Sequence, residues 1–365
     1  MAEIRVTNLH KAFGSFIAVK DSTFTVADGE FFVMLGPSGC GKTTTLRMIA
    51  GLELPTSGSI TLGGEDVTTK RASQRDIAFV FQLFALYPHM NVRNNIAYPL
   101  KNQGAPRAEI KQRVEETARI LRITDLLDRP VGGLSSGDRQ RVALGRAIVR
   151  DPLAFMMDEP LGALDTEMRE VMIHELRALH DRLSATTIYV THDQHEAMAM
   201  ADKIAVMNRG VIEQFDTPQA IYDNPATLFV ADFIGSPPMN LLRFHGAGAR
   251  GATAMALGSD VVAIPPLGTD LSERSLVLGV RPEHIRLVDD GGVRAKTVGA
   301  EYLGTQQIVT LDTPFGAVRA KVPADRSVSR GETFGLDFRA DRVSLFDAET
   351  GGRVPTGAME DARHG

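Results

Sequence analysis

A single cysteine, Cys40, in 365 residues leaves no intrachain disulfide to form, and nothing in the chain reads as a secreted disulfide framework. The expected redox setting is cytosolic. An excess of basic charge is also missing. Forty Lys and Arg stand against 45 Asp and Glu, a formal net charge of -5, whereas neutralising a polyanion needs clustered Lys and Arg. Nucleic acid is therefore not expected as the main partner. No stretch approaches the roughly 18 apolar residues of a membrane span. The start, Met1-Ala2-Glu3-Ile4-Arg5-Val6, lacks the charged opening and apolar core of a signal peptide. The expectation is a chain not itself embedded in a bilayer, and no long-period repeat is visible.

What is present is an ordinary globular composition, 43% apolar and 23% charged, in a length that suggests two or three domains. A chain of this size buries roughly three-quarters of its unfolded surface. It needs neither disulfides nor a structural metal to hold a core.

Residues 1 to 35 read as short β segments: Ile4 to Val6, Ala18 to Val26 with Asp28-Gly29 after it, then the apolar run Phe31-Phe32-Val33-Met34-Leu35. That last run predicts a buried strand leading into a Gly-rich loop, the entry to an α/β unit. From Pro106 to Arg122, Ile110, Val114, Ala118 and Leu121 recur at helical spacing. Leu153 to Met157 and Thr186 to Val190 are further short apolar runs, separated by helical stretches such as Glu167 to Leu183. Strands alternating with helices predict a layered, mostly parallel sheet. After about Gly235 the texture changes to short strand-like pieces: Leu276 to Val280, Ile308 to Leu311, Val318 to Val322 and Gly335 to Phe338. A smaller all-β domain over 236–350 is expected, with Ser236-Pro237-Pro238 as its junction and a loose tail over 351–365.

Gly36-Pro37-Ser38-Gly39-Cys40-Gly41-Lys42-Thr43 fits G-x-x-x-x-G-K-[ST] between a predicted strand and the helical Thr44 to Ala50. In that context backbone N–H groups wrap phosphates and the helix N-terminus adds its dipole. Lys42 reaches the β and γ phosphates, and the Thr43 hydroxyl can ligate magnesium. Cys40 is expected to present its thiol beside the γ-phosphate site. Leu153 to Glu159 places Asp158 and Glu159 at the end of a buried strand, where open α/β sheets bind ligands. Asp158 suits holding Mg2+ through water, and Glu159 suits accepting a proton from an attacking water. The pair alone equally suits a helix cap; Lys42 upstream favours the catalytic reading.

Leu134-Ser135-Ser136-Gly137-Asp138-Arg139-Gln140-Arg141 is a small-residue loop opening a helix. The order of the Lys42 loop, Gln82, this loop, Asp158-Glu159, Leu164-Asp165 and His192 resembles the ATP-binding subunits of ABC transporters over about the first 235 residues. The resemblance implies an α/β P-loop NTPase fold with a helical subdomain over about 88–150. It further implies that Phe13 stacks on adenine and that Ser38 to Thr44 bind the phosphates of ATP. Gln82 then meets Mg2+ and the attacking water, and His192 contacts the γ phosphate. Ser135, Ser136, Gly137 and Asp138 belong to the site of the opposite subunit, so two copies sandwich two ATP molecules, with Asp165 near the partner's phosphate loop. Asp165 also suits the N-cap of the helix from Thr166. The family signature reads Leu-Ser-Gly-Gly-Gln, and this chain departs from it at Ser136 and Asp138. An added Asp near phosphate is unfavourable unless it serves its own helix start.

The stretch from Lys42 to Leu134 is too short for a long coiled-coil insertion, which disfavours a chromosome-maintenance or DNA-repair ATPase. One motif set disfavours the tandem translation-factor type. Phe84-Ala85-Leu86-Tyr87-Pro88-His89-Met90 fits either a buried connection or, by the resemblance, a groove for a permease's coupling helix, with Leu86, Tyr87 and Met90 exposed in it. Phe233 to Asn240 and Leu278 to His284 resemble the maltose-importer-like ATPases for sugars, polyols and glycerol phosphates, which end in an oligonucleotide/oligosaccharide-binding-like (TOBE) domain used for dimer contact and regulation. Importers of polyamines, ferric iron or anions share the layout, and a cytosolic ATPase switching a soluble partner is the alternative from another class. The implied assembly is a homodimer on two membrane-spanning subunits at the cytoplasmic face of the membrane, served indirectly by a solute-binding protein.

Overall fold

The computed structural model describes residues 2–82, 84–162 and 164–357, and its contacts divide the chain into two units, the first ending at Pro218. In the first unit, β1 (Ile4–Phe13) and β2 (Phe16–Val26) form an antiparallel hairpin. β3 (Phe31–Leu35) is buried at every position and leads into the loop before α1 (Lys42–Ile49). β4 (Ser57–Leu62) and β5 (Glu65–Asp66) complete a four-stranded antiparallel sheet in the order β2-β1-β4-β5. β6 (Ile77–Val80) is followed by three helices, α2 (Val92–Asn102), α3 (Arg107–Ile120) and α4 (Ser136–Ile148). Then come β7 (Ala154–Asp158), α5 (Thr166–Leu183), β8 (Thr186–Thr191), α6 (Gln194–Met200), β9 (Lys203–Asn208) and β10 (Val211–Asp216).

The second sheet runs β10-β9-β3-β8-β7-β6, parallel except for β10 at its edge. Its strands β3, β7 and β8 are buried at every position because both faces are covered. Register positions the chemistry. Leu35 pairs with Thr191, Asp158 with Val190, and Val80 with Met157, so four parallel strands end within about a residue of one another. The tight spot in the helical region is Gly145 of α4: a Cβ there would lie 3.0 Å from Leu121 and 3.2 Å from Ile96, so a larger residue would push those side chains back by a few tenths of an ångström.

The second unit carries α7 (Pro218–Asp223), which begins at the division, and α8 (Leu228–Phe233). Its strands are β11 (Asn240–Gly248), β12 (Ala254–Leu257), β13 (Asp260–Ala263), β14 (Leu271–Val280), β15 (Ile285–Val288), β16 (Val293–Tyr302), β17 (Gln306–Thr313), β18 (Gly316–Pro323), β19 (Thr333–Phe338) and β20 (Val343–Asp347). They form a β11-β14-β20 sheet, a β12-β13 hairpin and a β15-β19-β16-β17-β18 sheet. Alternation sets the core: Val318, Ala320 and Val322 face in while their neighbours face out.

Two features depart from the sequence-based expectation. The change of texture at Gly235 marks where strands begin rather than where packing divides. Residues 219–235 belong with the β unit because buried Arg281 donates to the carbonyls of Tyr222 (2.8 Å), Ala231 (3.4 Å) and Ile234, while Ala231 packs on Val277 and Phe346. The expected loose tail is also corrected over 351–357. Val354 is buried and donates its N–H to Leu345 (2.8 Å), and Gly352, Arg353 and Thr356 form bridges to Thr227, Phe346 and Leu267. Residues 358–365 lie outside the described residues.

Arg75 holds the start of the first unit together. It is 1% exposed. Its guanidinium donates to Met48 O and Ile49 O (2.7 Å each) at the end of α1, and to Lys70 O (2.9 Å) and Thr68 O (3.1 Å). The last carbonyls of a helix lack intrahelical donors; Met48 O also takes the Gly51 N–H at 3.1 Å. Arg75→Met removes four charged hydrogen bonds to backbone carbonyls, so it should cost about 3 kcal/mol or more and lower the unit's melting temperature by about 6 °C or more. Unchanged thermal unfolding followed by circular dichroism would refute this account.

Candidate functional site

Between β3 and α1 the loop at Gly36 to Thr43 closes on itself. Gly41 has φ 107°, and a Cβ on it would sit 2.5 Å from Ala18 O, so the turn into α1 requires glycine. Lys42 is 4% exposed, and its Nζ donates to Gly36 O (2.7 Å) and Pro37 O (3.0 Å). The cation is thus folded across the loop whose N–H groups it accompanies. Ser38, Gly39, Gly41, Lys42, Thr43 and Thr44 wall a cleft of about 260 Å3 together with Glu159, Phe16 and Ala18.

Cys40 behaves differently from its neighbours. Its thiol is 3% exposed and packs in the core beneath the loop, 3.9 Å from Lys42 Nζ. Burial pushes the thiol pKa up. The expectation of a thiol facing the γ phosphate is therefore corrected: the side chain at this position supports the loop from behind.

Thr43 Oγ1 donates to Asp158 Oδ1 at 2.9 Å. Asp158 ends β7, 8% exposed, and burial raises its pKa although the Thr43 bond opposes the shift. Glu159 follows with φ 45°, a left-handed conformation that costs a non-glycine residue about 1 to 3 kcal/mol. Its N–H donates to Val190 O (3.0 Å), which holds the strained turn, and its Oε2 lies 3.2 Å from His192 Nδ1. The side chain of Glu159 is mostly covered, and that of His192 half exposed. Gln82, past the end of β6, brings its Nε2 to 3.7 Å from where a Cβ on Gly162 would be, and the Gly162 N–H donates to Glu159 O (3.2 Å). The loop after Glu159 thus lies beside Gln82.

Phe13 is 47% exposed, so it is not a core residue, and Lys11 Nζ lies 4.6 Å over its ring. Its cross-strand partner is Phe16, 62% exposed, and it is Phe16 that walls the cleft. The sequence reading missed Phe16. The available signal was the two-residue Gly14-Ser15 turn, which makes the flanking aromatics direct cross-strand neighbours on one face.

Ser135, Ser136, Gly137, Asp138 and Asp165 do not wall this cleft. Ser135 caps α4, accepting the Asp138 N–H at 3.1 Å. Asp165 caps α5, accepting the Met168 N–H at 2.8 Å. The two helix starts are close: a Cβ on Gly137 would lie 2.9 Å from Met168 Sδ. A cluster that the sequence did not signal sits behind them. Arg169 of α5 donates to Leu164 O (3.1 Å) and pairs with Asp193 (3.3 Å), the residue after His192.

The apolar segment after Gln82 contributes only Ala85 and Tyr87 to a groove of about 340 Å3, whose other walls include Phe79, Phe81, Tyr98, Pro99 and Arg146. Phe84 is buried, and Leu86 and Met90 are half-buried outside the groove; the expected exposure of Leu86 and Met90 in it is corrected. Arg146 of α4 donates to Ala85 O (2.6 Å) and Phe84 O (2.9 Å), holding two residues whose φ values are 48° and 60°. Among the described residues no helix is long and apolar enough to cross a membrane.

A phosphate loop with a buried carboxylate on its threonine, and a second strand-end carboxylate at the same cleft, defines a nucleoside-triphosphate hydrolase of the P-loop class. Residues 19–162 match the ABC transporter family model, 235–285 the MalK OB fold domain and 278–346 the TOBE domain. The chain is 45% identical over its whole length to sn-glycerol-3-phosphate import ATP-binding protein UgpC 2 of Agrobacterium fabrum, covering 98% of that protein. It is 46% identical to trehalose/maltose import ATP-binding protein MalK of Thermococcus litoralis, over 96% of this chain and 99% of the relative. The structure of CbiO1 from Clostridium perfringens, part of the ABC transporter complex CbiONQ, superposes with TM-score 0.57 at 26% identity, over 60% of this chain and 89% of that one. The chain belongs to the ABC transporter ATP-binding proteins with a MalK-type OB and TOBE region. It hydrolyses ATP to energise import as part of a transporter with membrane permease components.

The buried Asp158 has a testable electrostatic consequence. A carboxyl whose pKa is raised in the folded state binds its proton more tightly there than when unfolded. The stability it contributes is therefore greatest below the unfolded pKa and falls as pH rises through the folded one. At neutral pH Asp158 is ionised at a cost. Asp158→Asn keeps an acceptor for Thr43 and should raise the melting temperature of the nucleotide-free protein at pH 7, an advantage that shrinks towards pH 4. A lower melting temperature at pH 7 would overturn this.

Proposed function

We propose that Glu159 is the general base for ATP hydrolysis, with His192 fixing its carboxylate and the γ phosphate, and Gln82 orienting water. The observation that supports this most directly is the strained Glu159 held at the cleft with His192 Nδ1 3.2 Å away. A residue kept in a costly conformation where catalysis would need it points to function.

Thr43 and Asp158 suit Mg2+: a hydroxyl and a carboxylate 2.9 Å apart are the hard oxygen donors such an ion takes beside substrate phosphates. Among the described residues no group of three or more His, Cys, Asp or Glu could hold a metal ion. Bound there, Mg2+ supplies charge neutralisation on the β and γ phosphates. The chain's own groups do the rest. Lys42 exchanges its carbonyl partners for phosphate oxygens, Phe16 and Phe13 offer aromatic faces to the adenine, and Glu159 takes the water's proton. Glu159→Gln should lower turnover by about 10² to 10⁴ with ATP binding kept; near-normal hydrolysis would sink the assignment.

Two copies sandwich two ATP molecules in this reading, each offering Ser135 to Asp138 and Asp165 to the other's nucleotide, with the β unit adding dimer contact and regulation. The pair sits at the cytoplasmic face of the membrane, and the Phe81–Tyr98 groove receives a permease's coupling helix. The solute is a sugar, polyol or glycerol phosphate, delivered by a separate binding protein; the similarity to full-length import proteins for sn-glycerol-3-phosphate and trehalose/maltose supports this class. Replacing Phe81 and Tyr98 with Asp should break co-purification with the permease and abolish uptake. Basal ATP hydrolysis of the isolated chain should survive, because neither residue touches the phosphate site. Loss of hydrolysis together with docking would assign the groove to the fold instead.

A further inference from the structure

The signature loop of this chain holds its serine in an unusual state. Ser135 is exposed, and its hydroxyl carries one proton. That proton is already committed: Ser135 Oγ donates to Asp138 Oδ2 at 2.7 Å, while the same oxygen accepts the Asp138 N–H at 3.1 Å. The carboxylate is held in turn. Arg141 NH1 lies 3.5 Å from Asp138 Oδ1, and the rest of the guanidinium grips Glu175 of α5 at 3.1 and 3.2 Å. Asp138 therefore stays near Ser135 through a partner anchored on another helix.

A hydroxyl-to-carboxylate bond is charge-assisted and among the stronger ones available. A hydroxyl engaged in it cannot simultaneously donate to a phosphate oxygen. A glutamine at this position, as in the family signature, presents a neutral amide and no competing anion. We propose that Asp138 is a brake on the signature loop: it holds the Ser135 proton, so this serine engages the terminal phosphate of ATP on a second copy only when that bond is exchanged. The proposal rests on the two-copy reading above. Asp138 is a positioning residue in it, acting through Ser135.

The test is steady-state hydrolysis by the full chain against ATP concentration, for wild type, Asp138→Asn, Asp138→Ala, Ser135→Ala and the Ser135→Ala/Asp138→Ala double variant. Asp138→Ala removes the acceptor and should lower the half-saturating ATP concentration about tenfold. Asp138→Asn keeps a neutral acceptor and should fall between. The shift should vanish in the Ser135→Ala background, because no hydroxyl remains to release. A purely structural role at the helix start would instead lower melting temperature and kcat with half-saturation fixed. The proposal is overturned if Asp138→Ala leaves half-saturation unchanged, or if its full shift persists without the Ser135 hydroxyl, which would make the effect one of charge alone. Should Ser135→Ala alone alter nothing, the reading of Ser135 as a phosphate donor fails, visibly and independently of Asp138, and the brake fails with it. Where hydrolysis in the Ser135 variants is too slow to follow, the ATP midpoint for dimer formation in a Glu159→Gln background, read by light scattering, carries the same ordering and the same refutation.

Discussion

The parallel pairing of β3, β8, β7 and β6 fixes the phosphate site because it sets where four strands stop. Once Leu35 is opposite Thr191 and Asp158 opposite Val190, the loop at Gly36 to Thr43, the Asp158-Glu159 pair and His192 leave the sheet at one edge. A slip by one residue would turn Asp158 to the other face of the sheet and break its 2.9 Å bond with Thr43. Burial on both faces makes such a slip expensive, since every residue of β3, β7 and β8 is covered. The site is therefore as rigid as the core that ends in it, which is what preorganised charge requires.

Three arginines solve a common problem, Arg75 and Arg281 buried and Arg146 half-buried. Arg75, Arg146 and Arg281 each direct guanidinium N–H groups at backbone carbonyls of helices or turns. Burial lowers the proton affinity of all three, yet an arginine starts from so high a value that the charge persists at neutral pH. The fork geometry lets one side chain satisfy several acceptors, which lysine cannot copy. Arg146 has a further consequence. It lies on α4, whose first turn carries Gly137 and Asp138, and it grips the loop that walls the Phe81–Tyr98 groove. One rigid helix thus joins the groove to the signature loop.

The local motifs were legible in the sequence because their chemistry is contiguous. The Lys42 loop, the strand ending at Asp158-Glu159 and the helix starts at Ser135 and Asp165 each declare themselves within a few residues. What stayed hidden depends on distant residues meeting. The groove draws on β6, α2 and α4, so Phe79, Tyr98 and Arg146 carry no shared sequence signal, whereas the visible apolar run from Phe84 to Met90 contributes only part of it. Cys40 shows another limit: its position in the loop was evident, but the direction of its side chain follows from packing under the loop against the core. The placement of 219–235 depends on Arg281, some fifty residues away, and that of 351–357 on strands that precede it in the chain.

The same reasoning explains why His192 and Asp165 behave as one piece. Glu196 of α6 is 3% exposed, and burial raises its pKa. Its Oε2 accepts from Tyr189 (2.9 Å) and from Thr191 (2.6 Å), and its other oxygen lies 3.7 Å from Arg169 Nε. Thr191 in turn accepts the Asp193 N–H (3.0 Å), so the residues on both sides of His192 are tied. Arg169 carries the connection onward to Leu164 O, one residue before Asp165. A buried carboxylate and a partly buried guanidinium held by this many polar partners resist moving separately, since breaking a bond to Glu196 leaves a desolvated group unpaired. A shift of His192 would therefore have to carry Asp193 and, through Arg169, the start of α5 with it, or break polar bonds of this cluster.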